Sequence, residues 1–199
     1  MALIIGLTGS ISSGKSTVSA MIKELNIPVV DADKLARDVV EPGEEAYADI
    51  VHVFGEEILL EDRAIDRKKL GELIFSHKEK REQLNNIVHP AIRKAMLDER
   101  DEYVQKGANC VVLDIPLLFE SKLTHFVDKT VVVYVEESVQ LDRLMKRDAY
   151  SEVEANQRIK SQISMKEKAS LADAVIDNNG SLDETHEQLT QLLSEWEVV

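Results

Sequence analysis

The residues from Gly9 to Thr17 constrain this chain more than any other stretch of its sequence. They read Gly-Ser-Ile-Ser-Ser-Gly-Lys-Ser-Thr and fit the spacing G-x-x-x-x-G-K-[ST]. Glycines let a backbone wrap closely round an anion, and the N-terminus of a following helix offers unpaired N–H groups and the positive end of its dipole. The stretch therefore predicts a phosphate-binding loop, in which Lys15 reaches the phosphates of a nucleotide and the Ser16 hydroxyl binds Mg²⁺. The predicted nucleotide-binding residues of this loop are Ser12, Ser13, Gly14, Lys15, Ser16 and Thr17.

The sequence on either side of this loop fits the same interpretation. Leu3–Leu7 is an apolar run of strand length directly before the loop. After the loop, apolar residues recur with the i, i+3, i+4, i+7 spacing of one helical face at Val18, Met21, Ile22 and Leu25. A strand, a glycine loop and a helix are thus predicted in that order. A simple turn between a strand and a helix is the alternative, but it does not require Lys followed by Ser.

Composition argues against several other classes of protein. The 199 residues include 24 Lys and Arg against 37 Asp and Glu, a net charge of −13, so we expect no nucleic-acid and no membrane partner. The single cysteine, Cys110, lies in an apolar run and is expected to be a buried residue rather than a nucleophile. Five scattered histidines and one cysteine provide no zinc-type cluster, so we expect no structural metal site. The first residues do not resemble a secretory signal and no apolar run could cross a bilayer, so we expect a cytoplasmic protein.

Two acids follow the second predicted strand, Ile27–Asp31. Asp31 and Asp33 stand two residues apart, so in an extended backbone their side chains point the same way at the carboxyl end of the strand, where parallel sheets bind ligands. One of them could serve as a general base for a hydroxyl acceptor or orient Mg²⁺ through water. Alternatively, Asp33 caps a helix that begins at Lys34, because Asp is a favoured N-cap residue.

The stretch from Leu35 to Lys106 is predicted to be mainly helical. One apolar stripe is formed by Leu70, Leu73 and Ile74. A longer helical stretch is predicted to break at His89, because Pro90 suits the first turn of a new helix. Such an insertion between strands is a natural place for a lobe that binds a phosphoryl acceptor. It could equally cover one face of the sheet, and both roles are compatible.

A continuous apolar run, Cys110–Asp114, ends in an acid and is typical of a buried parallel strand that carries a Walker B aspartate. With a phosphate loop already predicted, Asp114 is expected beside the Mg²⁺ that the loop hydroxyl binds. Ile115–Glu120 follows at the same edge of the sheet. Its large apolar residues either belong to the core or form a wall of the acceptor pocket.

Basic residues concentrate after the strand predicted at Thr130–Val135. Between residues 143 and 168 they outnumber acids by seven to four, in an otherwise acidic chain: Arg143, Lys146, Arg147, Arg158, Lys160, Lys166 and Lys168. This segment would suit a lid that closes over polyphosphate, and Arg147 is favoured as its arginine. A solvated helical pair is the alternative, since Ser151…Glu154 and Ser164…Glu167 have capping-box spacing. The roles of the lysines stay open.

The last predicted strand, Asp173–Asp177, is followed by Asn178-Asn179-Gly180 and a helix. This loop could contact adenine through Asn178, or it could be a plain turn. The apolar face of the last helix is predicted to comprise Leu182, Leu189, Leu192, Leu193 and Trp196. Five strands alternate with helices along the whole chain, which predicts an α/β fold with a parallel sheet and helices on both of its faces.

Several blocks of this sequence, taken together and in order, resemble the dephospho-coenzyme A kinase family. The blocks are Gly6–Gly9 running into Ser13–Ser16, Asp31–Asp33 with Ala36-Arg37 and Val39–Gly43, Val88–Pro90, Asp114–Glu120, and Arg147-Asp148. The resemblance covers most of the chain, and the Asp-Ala-Asp and Leu-Leu-Phe-Glu blocks are far more specific than a phosphate loop. The loop departs from the usual glycine-rich family pattern at Ser10 and Ser12, which puts its flexibility and nucleotide affinity in question.

The resemblance implies a P-loop NTPase core with a five-stranded parallel sheet, a helical acceptor-binding insertion and a helical lid. Residues 1–34, 107–147 and 172–199 would form the nucleotide-binding core of one kinase domain, 35–106 the acceptor subdomain and 148–171 the lid. It further implies ATP-dependent phosphorylation of the ribose 3′-hydroxyl of dephospho-coenzyme A, with Mg²⁺ as the cofactor. The enzyme would be a monomer or a small homo-oligomer.

The resemblance also assigns roles to individual residues. The catalytic residues would be Asp33 as general base, Lys15, and Arg147 of the lid. Acceptor contacts would include Asp33 and four further residues: Thr8, Arg37, His89 and Leu117. Two alternatives remain: another metabolite or nucleoside monophosphate kinase on the same core, and a nucleotide-regulated switch. A guanine-reading switch is disfavoured because the chain lacks an Asn-Lys-x-Asp segment.

Overall fold

The computed structural model describes residues 2–199, which contain a five-stranded sheet in the order β2-β3-β1-β4-β5. The strands are β1 (Leu3–Gly9), β2 (Val29–Asp31), β3 (Cys110–Asp114), β4 (Lys129–Tyr134) and β5 (Ala174–Asp177). The helices are α1 (Lys15–Glu24), α2 (Ala32–Asp38), α3 (Glu45–Phe54), α4 (Arg67–Ser76), α5 (Lys78–Gln105), α6 (Glu137–Asp148), α7 (Glu152–Lys160), α8 (Met165–Leu171) and α9 (Leu182–Glu195). Short 3₁₀ turns lie at Glu56–Ile58 and Thr124–Phe126.

Strand β1 lies in the middle of the sheet and runs parallel to both of its neighbours. Leu7 of β1 is in register with Asp114 of β3, and Gly9 is in register with Val133 of β4. Every residue of β3 is buried, as the continuous apolar run predicted. The parallel α/β sheet flanked by helices is therefore confirmed. Its register brings the end of β3 beside the start of the phosphate loop.

The main apolar core of this sheet packs against α1 and α9. Val18 and Ile22 of α1 and Leu189 and Leu193 of α9 are all buried in it. Leu182 was predicted to share this apolar face, and that prediction is wrong: its side chain is 62% exposed. Leu182 is the first residue of α9, before the turns of the helix that pack against the sheet.

The chain divides into two compact units, one formed by residues 1–30 and 100–199 and the other by residues 31–99. The second unit contains α2, α3, α4 and most of α5, and it has an apolar cluster of its own. Ile50, Phe54 and Leu70 are buried in this cluster. The predicted apolar stripe is confirmed, because Leu73 and Ile74 also pack there.

Helix α5 runs without a break from Lys78 to Gln105 and contains Pro90 in its interior. The prediction that a new helix starts at Pro90 is therefore wrong. A proline removes only one backbone donor, although it strains the preceding turn. Apolar side chains hold the helix on both sides of that point: Ile87 packs in the cluster of the 31–99 unit, and Met96 is buried. Within residues 2–199, no helix combines the length and the apolar character needed to span a bilayer.

Candidate active site

The phosphate loop joins β1 to α1 and turns on Gly14, the N-cap residue of α1. Gly14 has φ 89° and ψ 17°, a left-handed conformation in which glycine is strongly favoured. A Cβ atom at this position would stand 2.0 Å from the amide nitrogen of Asn178. Gly14 is thus required both by its backbone conformation and by its neighbour.

The two serines at which this loop departs from the glycine-rich pattern are accommodated in different ways. Ser12 adopts a left-handed backbone conformation, with φ 59°. Ser10 does not have a positive φ. Its carbonyl oxygen accepts a hydrogen bond from the Ser13 N–H at 3.1 Å. The loop therefore forms with serine at both positions, and any backbone strain of the substitution lies at Ser12.

The hydroxyl oxygens of Ser12 and Ser13 are both buried without a hydrogen-bond partner in the described chain. Buried polar groups in proteins nearly always have partners, so an orphaned pair is informative. Both hydroxyls belong to a loop that leads into the N-terminus of α1, whose first N–H groups have no acceptor within the helix. The loop is therefore suited to an anion with several acceptor oxygens, as the phosphates of a nucleotide provide.

The ammonium group of Lys15 forms an ion pair with the carboxylate of Asp114 at the end of β3. The Asp114 side chain is only 4% exposed, whereas Ser16, the next residue of α1, is exposed. Register and chain order thus bring the predicted metal residues to one edge of the sheet. A hydroxyl and a carboxylate are oxygen ligands of the kind that Mg²⁺ uses together with substrate phosphates.

Asn178 supports the phosphate loop from the loop that follows β5. Its amide nitrogen donates to the carbonyl oxygen of Ser13 at 2.8 Å, and its amide oxygen accepts from the Thr185 hydroxyl at 2.9 Å. Only 4% of Asn178 is exposed. The side chain of Asn178 therefore holds the phosphate loop, and the adenine contact expected of this residue stays a prediction.

Thr8, for which the resemblance implied an acceptor contact, also forms a hydrogen bond within the protein. The residue is fully buried in β1, and its hydroxyl donates to the carbonyl oxygen of Pro116 at 3.0 Å. Thr8 therefore holds the segment after β3, and its acceptor contact stays a prediction. In that segment Leu118 is buried in the core, whereas Leu117 is 42% exposed and retains surface for a ligand.

The two arginines of α6 lie in different environments. Arg143 donates to the carbonyl oxygen of Asn178 at 3.0 Å, and its guanidinium lies 3.8 Å from where a Cβ of Gly14 would be. Arg147 instead makes two hydrogen bonds to Asp148, at 2.9 and 2.8 Å, which raise the pKa of Arg147 and lower that of Asp148. The sequence analysis favoured Arg147, and nothing in it indicated that Arg143 lies beside the phosphate loop.

The segment predicted as a lid is anchored to the phosphate loop at Ile11. The Ile11 N–H donates to the side-chain oxygen of Gln162, in this segment, at 3.1 Å, while the Ile11 carbonyl oxygen accepts from Gln140 of α6 at 2.8 Å. Helix α7 packs on α6 and starts with a complete capping box, Ser151 with Glu154. Lys168 of α8 is fully buried, so a purely solvated helical pair does not describe this segment.

The acidic pair after β2 has one structural member and one exposed member. Asp31 is the N-cap of α2 and accepts from the Lys34 N–H at 3.0 Å. The alternative that Asp33 caps this helix is therefore wrong, because α2 starts at Ala32. Asp33 is exposed in the first turn, and its carbonyl oxygen accepts from the side chain of Arg37 at 3.3 Å.

The remaining predicted acceptor contact, His89, is exposed on α5. Asp33, Arg37 and His89 all belong to the unit of residues 31–99. Cys110, by contrast, is buried in β3 of the other unit, and burial raises the pKa of its thiol to about 11. A thiol in that state is a core side chain and a poor nucleophile.

Comparison with known proteins connects both units to one family. A family profile described as dephospho-CoA kinase matches residues 3–184. A protein named dephospho-CoA kinase in Oceanobacillus iheyensis is 61% identical over 198 residues, which cover 100% of each chain.

Two solved structures extend this similarity to three dimensions. The crystal structure of TT1252 from Thermus thermophilus has 34% identity and a TM-score of 0.81, covering 98% of this chain and 97% of that one. A dephospho-CoA kinase from Campylobacter jejuni has 32% identity and a TM-score of 0.75, covering 98% of each chain. The similarity spans the phosphate loop as well as residues 31–99.

Proposed function

Because this chain belongs to the dephospho-CoA kinase family, we propose that it transfers the γ-phosphoryl group of ATP to the ribose 3′-hydroxyl of dephospho-coenzyme A. The products are coenzyme A and ADP, and the reaction is the last step of coenzyme A synthesis. Family membership supports the reaction, and the phosphate loop supports the role of ATP within it.

One observation in the structure carries the ATP site. The hydroxyl groups of Ser12 and Ser13 are buried without partners in a loop that ends at the N-terminus of α1. The oxygens of a β- or γ-phosphate would satisfy these donors, and Lys15 stands at the first position of the helix to neutralise their charge. A loop of purely structural purpose would have no reason to bury unsatisfied hydroxyls.

Ser16 and Asp114 are the residues that would hold Mg²⁺, which when bound supplies charge neutralisation for the phosphates. Binding of the nucleotide exchanges the partner of Lys15 from the Asp114 carboxylate to a phosphate oxygen. In the same exchange the Asp114 carboxylate would give up its ion pair with Lys15. Lys15 and Asp114 pair with each other before the nucleotide binds. Afterwards Lys15 would pair with a phosphate oxygen, and Asp114 would be available to Mg²⁺.

Asp33 is proposed as the general base. Its carboxylate accepts the proton of the 3′-hydroxyl as the oxygen of that hydroxyl attacks the γ-phosphorus, and the bond from the γ-phosphorus to the β,γ-bridging oxygen breaks to release ADP. Asp33 has an exposed side chain, and Asp31 already fulfils the capping role that could otherwise have occupied it. Arg37, His89 and Leu117 are proposed to bind the acceptor.

Residues 35–106 are proposed as the acceptor-binding subdomain and residues 148–171 as the lid, with Arg147 at the base of the lid. We place the protein in the cytoplasm, because its substrate ATP is available there and a single cysteine excludes an internal disulfide framework. The net charge of −13 supports small-molecule substrates over nucleic acid. A monomer or a small homo-oligomer would suffice, because the proposed residues all come from one chain.

Release of ADP from Mg·ATP tests the proposal when several acceptors are compared under identical conditions. We expect rapid release with dephospho-coenzyme A and a product heavier by one phosphate, and little release with adenosine, AMP or shikimate. Preference for another acceptor would identify a different kinase on the same core. Slow hydrolysis that no acceptor stimulates, in folded protein that binds ATP, would favour a nucleotide-regulated switch.

A further inference from the structure

Lys168 is the one lysine of the basic segment whose side chain is fully buried. It lies on α8, and its ammonium group donates to the carbonyl oxygen of Gly9 at 3.0 Å and to that of Pro116 at 3.3 Å. The third partner is a carboxylate oxygen of Glu120, at 2.9 Å. An ammonium has three donors, so all three are used inside the protein.

A fully buried lysine is rare, because removing an ammonium from water is costly unless partners replace the solvent. Glu120 provides the compensating charge, and the same oxygen of Glu120 also accepts from the Ile163 N–H at 3.2 Å. The carbonyl oxygens of Gly9 and Pro116, however, could accept from a neutral donor and do not require a cation. The positions of Gly9 and Pro116 in the chain indicate the role of the Lys168 ammonium group.

Gly9 and Pro116 lie in the two segments that form the proposed nucleotide site, the phosphate loop and the segment that contains Asp114. Gly9 ends β1 and begins the phosphate loop that carries Lys15, while Pro116 follows Asp114 by two residues. The segments are already joined by the Thr8 hydroxyl, which donates to the same Pro116 oxygen, and by the Ile115 N–H, which donates to the Leu7 carbonyl oxygen at 2.9 Å. Lys168 adds a connection at Gly9 itself, where the phosphate loop begins, and it links both segments to α8.

We propose that Lys168 is a positioning residue that fixes the separation between the phosphate loop and the Asp114 segment. One Mg·nucleotide complex can then engage the loop and Asp114 at the same time. The proposal rests on the nucleotide site proposed above. It assigns Lys168 no contact with substrate, since its side chain has no exposed surface.

A suitable test separates positioning from simple stabilisation. Lys168→Met keeps an unbranched side chain that is one atom shorter and removes every donor, but it leaves the Glu120 carboxylate without its cation. The double variant Lys168→Met/Glu120→Gln removes that charge as well and is expected to recover stability. Glu120→Gln alone keeps the bonds from Lys168 to Gly9 and Pro116. Lys23→Met, on the exposed surface of α1, serves as the matched control.

Two quantities are measured for each variant at a temperature where it is folded. The first is the ratio of the dissociation constants of the ATP analogue AMP-PNP without and with Mg²⁺, obtained by calorimetry. The second is kcat with dephospho-coenzyme A. For Lys168→Met and the double variant we expect the ratio to fall about fivefold or more, and kcat to fall about 10- to 100-fold because the reacting groups are displaced. Glu120→Gln and Lys23→Met should keep both quantities close to those of the unaltered protein.

A folded double variant that keeps the Mg²⁺ ratio and kcat of the unaltered protein would overturn the proposal and leave Lys168 a structural role only. An equal loss of the Mg²⁺ ratio and of kcat in Glu120→Gln would also overturn it, because the ion pair with Glu120, and not the bonds to Gly9 and Pro116, would then account for the effect. Failure of the unaltered protein to phosphorylate dephospho-coenzyme A would contradict the proposed function instead. The binding ratio would still test Lys168, because it requires no acceptor.

Discussion

Asn178 donates a hydrogen bond to the carbonyl oxygen of Ser13 at 2.8 Å, so the loop after the last strand holds the phosphate loop in place. The same amide nitrogen fills the space beside Gly14 that any other residue would need. Thr185 fixes the other end of the amide. The conformation of the phosphate loop therefore depends on the junction of β5 and α9 as well as on its own glycines.

We predict that Gly14→Ala abolishes measurable ATP binding. Alanine would meet both the cost of a left-handed backbone, about 1–2 kcal/mol, and a contact with Asn178 that forces the loop to move. Gly107→Ala is the control, since Gly107 has φ +91° but nothing within 4 Å of the added carbon. Calorimetric titration and thermal unfolding of both variants make the comparison. Similar destabilisation with full ATP binding by Gly14→Ala would contradict the role given to Asn178.

Substitutions of Asp31 and Asp33 should have different effects, on stability for Asp31 and on turnover for Asp33. Asp33→Asn is expected to lower kcat by about 100-fold or more, as for loss of a general base, with the dissociation constant of ATP nearly unchanged. Asp31→Ala removes the cap of α2 and should lower the free energy of unfolding by about 1 kcal/mol. Steady-state kinetics, ATP titration and urea unfolding are measured on both variants. If Asp33→Asn weakens ATP binding as much as turnover, Asp33 is a metal contact or a structural residue.

The pH dependence of stability should show the contribution of Asp173. The Thr130 hydroxyl and N–H both donate to one oxygen of this carboxylate at 2.7 Å, and the pKa of Asp173 is lowered from its ordinary value of 3.8, chiefly by the hydroxyl. A carboxyl with a lowered folded pKa stabilises the fold above its unfolded pKa, and that contribution is lost as the pH falls through the folded pKa. Asp173→Asn should therefore destabilise the protein at pH 7.

The difference in unfolding free energy between the unaltered protein and Asp173→Asn should narrow as the pH falls below about 5. Urea unfolding at several pH values measures it. Asp49→Asn, at an exposed position of α3, should show little difference at any pH. A gap for Asp173→Asn that stays constant down to pH 4 and below would mean that its charge is not the cause.

The features that the sequence predicted well are those set by neighbouring residues. An apolar run of strand length, a glycine loop and a helical stripe each depend on a few adjacent positions, so β1, the phosphate loop and α1 could be predicted together. The buried strand that ends at Asp114 was predictable for the same reason. Pro90 was misjudged because packing on both sides of it, which local pattern does not contain, keeps α5 continuous.

The supporting contacts of the site could not be predicted in this way. Lys168 and Gly9 are separated by 159 residues, and Asn178 and Ser13 by 165. Nothing in the local sequence distinguishes Lys168 from the exposed lysines nearby, although Glu120, within the Leu-Leu-Phe-Glu block, supplied one available signal. An acid among large apolar residues requires a buried partner, and a cation elsewhere in the chain could have been sought for it.

The central claim, transfer of a phosphoryl group from ATP to the 3′-hydroxyl of the acceptor, is tested most directly by removing that hydroxyl. ADP release from Mg·ATP is measured with dephospho-coenzyme A and with its 3′-deoxy analogue at equal concentrations. The account predicts rapid release and a phosphorylated product with the first, and no release above the background without acceptor for the second, which should still inhibit competitively. Equal ADP release and a phosphorylated product from the 3′-deoxy analogue would contradict it.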